Sequence, residues 1–202
     1  FPCLSVGAPF YTNGQTGEGL VRVFNGVSSL AGLGLSPSWS KESDQAGANL
    51  GSWVAPAGDV NGDGYSDVIV GAPKYDNFLG RCFVYLGSSS GLASSPAWTI
   101  GGIYGGGYLG ISVSTAGDVN NDGYSDVIIG SPSYYGSSST TGKVYVYFGS
   151  STGLQSDPAW TMDRQYNSNY QVDGFGRSVS TAGDLNADGY SDIVIGAHYT
   201  SW

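Results

Sequence analysis

Short β-branched and aromatic runs alternate with glycine-, serine- and aspartate-rich segments along the whole chain. One unit reads cleanly from Tyr108 to Met162. Leu109–Gly117 alternates around small residues and predicts a strand. Asp126–Gly130 is a continuous apolar run, as expected of a strand covered on both faces. Lys143–Gly149 is β-branched and aromatic and predicts a third strand. Asp157–Met162 predicts a fourth, with Pro158 near its start as suits a sheet edge. The same pieces recur over Asn49–Ile100, with Arg81–Gly87 as third strand and Pro96–Thr99 as fourth. Leu4–Gly7, Leu20–Phe24 and Pro37–Trp39 supply three strands at the start, and Phe175–Ala182 and Asp192–Ala197 supply two at the end. Sustained helical periodicity is absent from the pattern.

Each second strand ends in a Gly-Ala-Pro-like stop. Gly7, Gly71, Gly130 and Gly196 mark it, at spacings of 64, 59 and 66 residues. Periods of this size signal stacked supersecondary units, with the length variation in loops. The expected fold is all-β: propeller-type blades of four antiparallel strands, two complete and two partial. The expected divisions are a partial blade over 1–48, complete blades over 49–107 and 108–170, and a partial blade over 171–202. Closed propellers have about four to eight blades. Roughly three blades are expected to stay open or to be completed by other copies or a longer chain. Exposed edges invite strand pairing with such neighbours. Trp39, Trp98 and Trp160 are expected to pack between blades.

A nine-residue loop precedes the apolar run in three units: Asp59–Asp67, Asp118–Asp126 and Asp184–Asp192. Positions 1, 3, 5 and 9 are Asp, Asn, Asp, Asp in every copy: Asp59, Asn61, Asp63, Asp67; Asp118, Asn120, Asp122, Asp126; Asp184, Asn186, Asp188, Asp192. Calcium takes six to eight hard oxygen ligands, and crowded carboxylates repel each other without a cation. The backbone carbonyls of Tyr65, Tyr124 and Tyr190 at position 7 complete the expected donor set. Gly64, Gly123 and Gly189 at position 6 allow the sharp turn. Three calcium sites are therefore expected. An EF-hand would place a Glu at position 12; here Val70, Ile129 and Ile195 stand there, inside apolar strands. Plain Asp-Gly turns would need fewer of these residues.

The loops also explain the charge. Net charge is −9, and nine of the 16 acidic residues lie in the three loops. Three divalent cations would leave about −3. No basic stripe is present to meet nucleic acid, and no apolar run approaches a membrane span of ~20 residues. Phe1–Leu4 shows no basic leader, and both ends read as cut from a longer array. Cys3 and Cys82 are too few for a disulfide scaffold; the sequence leaves open a single bridge or two buried small hydrophobes. His198, the single histidine, stands where other units have Pro, and no nucleophile elbow, HExxH or phosphate loop accompanies it. Gly101–Gly107 reads as a connection between blades. Ser88–Ser90 and Ser137–Thr141 read as solvated turns, and no Asn-x-Ser/Thr sequon occurs.

Leu50-Gly51, Leu109-Gly110 and Phe175-Gly176, the Asp-rich loops, and Gly71-Ala72-Pro73, Gly130-Ser131-Pro132 and Gly196-Ala197-His198 together resemble the FG-GAP repeat, the blade of integrin α-subunit propellers and of many surface proteins. The resemblance implies calcium in the hairpin loops on one face, where it rigidifies the blade. It also implies an extracellular or cell-surface setting. The expected function is a non-catalytic calcium-binding scaffold or adhesion module, such as a filament subunit, with other copies, a protein or a glycan as partner. The alternatives are a carbohydrate-binding lectin using Trp98 or Trp160, or an accessory domain of a larger extracellular hydrolase or lyase.

Overall fold

A computed structural model describes residues 3–26, 36–103, 106–133, 140–165 and 174–197, the side chains of 140, 141, 164 and 165 excepted. His198, Ser137–Ser139 and positions 104–105 of the glycine-rich connection lie outside these residues. Among the described residues, thirteen strands form four antiparallel sheets. The first holds β1 (Leu4–Ala8), β2 (Leu20–Phe24) and β3 (Trp39–Glu42). The second holds β4 (Trp53–Gly58), β5 (Asp67–Ala72), β6 (Arg81–Tyr85) and β7 (Trp98–Gly101). The third holds β8 (Ser112–Gly117), β9 (Asp126–Ser131), β10 (Thr140–Tyr147) and β11 (Trp160–Gln165). The fourth pairs β12 (Ser178–Gly183) with β13 (Asp192–Gly196). Strands follow chain order across each sheet, so every connection is a hairpin or meander.

The sheets pack face to face through three cores, one at each junction. Val21, Leu50, Val70 and Tyr85 fill the first. Ile69, Val84, Val113, Val127 and Ile129 fill the second. Ile128, Val144, Val146 and Val179 fill the third. The continuous apolar runs follow from this layering. Alternate residues of a strand point to opposite faces, so Val127 and Ile129 enter the second core while Ile128 enters the third. All six residues of β9 are buried. Strand β4 lies against β8, and β8 against β12, so the first strands of successive units line one side of the array.

The repeated glycines are explained by close backbone approach between units. The Gly51 N–H donates to the Gly71 carbonyl within its own unit (3.0 Å), as Gly110 does to Gly130 (3.0 Å) and Gly176 to Gly196 (3.1 Å). The carbonyls of Gly51, Gly110 and Gly176 in turn abut Gly7, Gly71 and Gly130 of the preceding unit, where any Cβ would overlap them. Leu109–Gly110 accordingly forms this docking turn, and the strand expected from Leu109 starts at Ser112. Fourth strands likewise start at Trp98 and Trp160, after the prolines. A four-residue helical turn, α1 (Tyr75–Phe78), precedes β6, with Asp76 and Asn77 in the left-handed region; the pattern gave no sign of it.

Trp39 and Trp98 sit at the junctions. The Trp39 indole donates to the Ala93 carbonyl of the next unit (3.0 Å) and meets Tyr85 edge-on, with ring centroids 4.8 Å apart. Trp98 does the same with the Gln155 carbonyl (3.0 Å) and Tyr147 (4.8 Å). Trp160 is 40% exposed. Cys3 is exposed, and Cys82 is buried and is a free thiol. Burial pushes the Cys82 thiol far above its ordinary pKa. The two form neither a bridge nor a buried pair, since Cys82 is a free thiol in the second core and Cys3 is exposed just before β1.

Candidate metal centre

Each acidic loop joins the first two strands of its unit: β4–β5, β8–β9 and β12–β13. The hairpin register shifts at the same place in all three, so that Gly58, Gly117 and Gly183 face Asp67, Asp126 and Asp192. These glycines have φ of +83°, +81° and +70°. The chain then coils around the carboxylate of position 1. In the first loop, Asp59 Oδ1 accepts the Asp63 N–H (3.0 Å) and Asp59 Oδ2 the Gly64 N–H (2.8 Å). Asn61 Oδ1 accepts the same Asp63 N–H (3.3 Å), and Asp63 Oδ1 accepts the Tyr65 N–H (2.9 Å). The Asn61 amide donates to Asp63 Oδ2 (2.9 Å).

The second and third loops repeat the pattern almost bond for bond. Asp122 N–H reaches Asp118 Oδ1 (3.0 Å) and Asn120 Oδ1 (3.1 Å); Asp188 N–H reaches Asp184 Oδ1 and Asn186 Oδ1 (both 3.1 Å). Gly123 and Gly189 donate to the other oxygens of Asp118 and Asp184 (2.8 and 2.9 Å). The side-chain oxygens of positions 1, 3 and 5 are thus gathered around one turn of backbone. Asp59 Oδ1 also accepts the Gly62 N–H (2.7 Å), but the other carboxylate oxygens of these positions keep a further lone pair, so this hard-oxygen set is chemically suited to calcium.

Position 9 does something the pattern did not disclose. Asp67 Oδ2 accepts the Val60 N–H (2.8 Å) and its Oδ1 accepts the Gly87 N–H (2.8 Å). Asp126 does the same with Val119 (2.8 Å) and Gly149 (2.9 Å), and Asp192 accepts from Leu185 (2.8 Å). Asp67 and Asp126 are buried and staple the loop to the end of the third strand. The three carboxylates of each loop are less tightly gathered than a triad elsewhere: among the described residues, only Glu18, Glu42 and Asp44 bring oxygens within 4.8 Å of one another. Burial raises the Asp126 carboxyl to about 6, opposed by its two backbone bonds and reinforced by Asp122 and Asp118. Asp67 is raised for the same reasons. Asp188 is lowered, chiefly by the Tyr190 N–H and then by Asn186. A cation would relieve the like-charge part of these costs.

Two further positions were passed over in the sequence. Position 4 is left-handed in all three loops, with φ of +74° at Gly62, +57° at Asn121 and +58° at Ala187. Gly and Asn hinted at this, whereas Ala187 hid it. Position 8 is Ser throughout and links neighbouring loops. The Ser125 N–H donates to the Asp59 carbonyl (2.9 Å) while its Oγ accepts the Asp59 N–H (3.1 Å). Ser191 makes the same pair with Asp118 (2.9 and 3.1 Å). Ser66, Ser125 and Ser191 recur with the loop, but only packed units show what they bond.

The FG-GAP repeat model matches residues 50–85, 109–147 and 175–201. This chain belongs to the FG-GAP repeat family. Each match opens at a docking dipeptide and runs through an acidic loop and its Gly-Ala stop. Similar proteins are integrin alpha-5 of Xenopus laevis, 31% identical over 179 residues and 85% of this chain, and integrin alpha-IIb of Mus musculus, 35% identical over 167 residues and 78% of it. Integrin alpha-V of Gallus gallus is 30% identical over 190 residues and 89% of the chain. The chain spans 16% to 17% of the length of these relatives.

Proposed function

We propose that this chain is a non-catalytic, calcium-rigidified extracellular scaffold or adhesion module built from FG-GAP blades. The observation that carries the reading is the threefold recurrence of one oxygen-lined loop whose neighbours are tied backbone to backbone. Three calcium ions are held by Asp59, Asn61, Asp63, Asp67 and the Tyr65 carbonyl; by Asp118, Asn120, Asp122, Asp126 and the Tyr124 carbonyl; and by Asp184, Asn186, Asp188, Asp192 and the Tyr190 carbonyl. Bound calcium supplies positive charge where carboxylates crowd. The chain's own residues do the rest: Asp67 and Asp126 fix each loop to its sheet, and Ser125 and Ser191 pass that rigidity to the preceding loop.

Units over 1–48, 49–107, 108–170 and 171–202 act as successive blades. The last sheet, with Val194 53% exposed, is the face that meets further repeats or another copy, so that blades extend into a longer propeller or a filament. Integrin relatives and millimolar extracellular calcium both support placement outside the cell. Amide hydrogen exchange in calcium and after chelation tests the reading. Calcium should slow exchange at Val60, Gly87, Ser125, Gly149 and Ser191 together. Equal exchange in both states, with metal removal verified, overturns it.

A further inference from the structure

The first sheet carries an acidic cluster unrelated to the repeated loops. Glu18 lies two residues before β2, Glu42 ends β3, and Asp44 follows in a turn with φ of +57°. One oxygen from each lies within 4.8 Å of the others. Glu42 pairs with Leu20, which pairs with Ala8, so the cluster sits at the opposite end of the sheet from that carrying the acidic loops.

Acidic neighbours alone would mean little. The decisive atom is Glu18 Oε2. Glu18 is 0% exposed. Its Oε1 accepts the Asn13 N–H (2.7 Å), but Oε2 is buried with no hydrogen-bond partner. Among the described residues no lysine or arginine forms an ion pair with any of the three acids. A buried carboxylate with one oxygen lacking a donor, grouped with two more carboxylates and no counter-charge, is costly unless a cation meets it.

We infer that Glu18, Glu42 and Asp44 hold a divalent cation, calcium, in a fourth site of a different kind. The donors are all hard oxygens, without nitrogen or sulfur. Calcium–oxygen distances of about 2.4 Å let two ligands on one ion stand up to about 4.8 Å apart, so the observed spread needs no rearrangement. Magnesium, at about 2.1 Å, would draw them closer and demands octahedral geometry. The Asn13 amide contacts both oxygens of Glu42 (3.4 and 3.2 Å); a half-turn of that amide exchanges its donor for another oxygen ligand.

The site ties three separate segments together. The Glu18 carbonyl accepts the Leu50 N–H (3.0 Å) and the Ser43 hydroxyl (2.7 Å). A cation here therefore clamps the loop before β2 and the turn after β3 beside the docking turn of the second unit. By strand register, Glu18 and Glu42 correspond to Leu79 and Gly101 in the second unit, so the second unit lacks this clamp.

Calcium stoichiometry by native mass spectrometry tests this, on the chain and on a triple variant Asp63→Asn, Asp122→Asn, Asp188→Asn. The triple variant should keep one ion, and that ion should be lost on adding Glu18→Gln or Asp44→Asn. In the otherwise unaltered chain each of these two changes should lower the count by one, which keeps the test valid if the triple variant does not fold. Asp44 is exposed, and Asn tolerates its left-handed backbone, so that substitution separates ligand loss from misfolding. An unchanged count in both Glu18→Gln and Asp44→Asn overturns the site. An unaltered chain that binds a single ion, lost on Glu18→Gln or Asp44→Asn, would sink the proposed function and leave this inference standing.

Discussion

Ala187 is the residue where the third loop departs from its siblings in chemistry but not in shape. A left-handed alanine costs roughly 1–2 kcal/mol, a penalty glycine avoids. Ala187→Gly should therefore stabilise the chain by about 1 kcal/mol, less the greater freedom glycine has when unfolded; denaturant unfolding reads the change. Asp126 sets the pH behaviour of the metal-free chain. Its carboxyl titrates at about 6 when folded, against an ordinary value near 3.8. The folded chain thus binds the proton more tightly than the unfolded one, so this group favours folding below about pH 4, and that contribution is lost as pH rises to about 6. Melting without calcium should fall over that window, and the gain from added calcium should grow over it. A calcium effect independent of pH between 4 and 7 would contradict this. The residue types of the acidic loops were legible because they recur in triplicate. The backbone bonds of position 9 were not, because its partners Gly87 and Gly149 lie 20 and 23 residues away.

Elements are held by apolar layers and by glycine-to-glycine docking. Ile128 is fully buried in the third core, and Ile128→Ala should cost about 2–5 kcal/mol. Gly71→Ala drives a methyl into the Gly110 carbonyl and should cost about 3 kcal/mol, at the upper end of overpacking penalties. Both are measured by denaturant midpoint; a Gly71→Ala chain as stable as the parent would refute the docking explanation. Ser125→Ala removes a hydroxyl acceptor worth about 1 kcal/mol and should weaken calcium binding in the preceding loop, read by titration calorimetry. Second and third strands were legible because β-branched runs buried on both faces leave a continuous apolar signature. The docking turn at Leu109–Gly110 read as strand because a lone glycine among apolar residues looks the same in either state. The Glu18 cluster was invisible because its members do not repeat and only the β1–β2–β3 register assembles them.

At the scale of the molecule, four sheets share three cores, and a chain of loop-to-loop bonds runs along one end. Repeat arrays draw their stability from such neighbour interfaces, so a cation bound in one loop would reinforce the next. The four-strand unit and its period were legible from spacing alone, whereas the order of packing needed the structure. If calcium in the acidic loops stiffens this array, as proposed, thermal unfolding across a calcium series shows it, starting from a chelated sample with verified metal removal. At 100 times Kd each occupied site should add about 2.7 kcal/mol, so the melting temperature should climb steadily with calcium, and the Asp63→Asn, Asp122→Asn, Asp188→Asn variant should lose most of that rise. A melting curve that does not move with calcium would contradict the account.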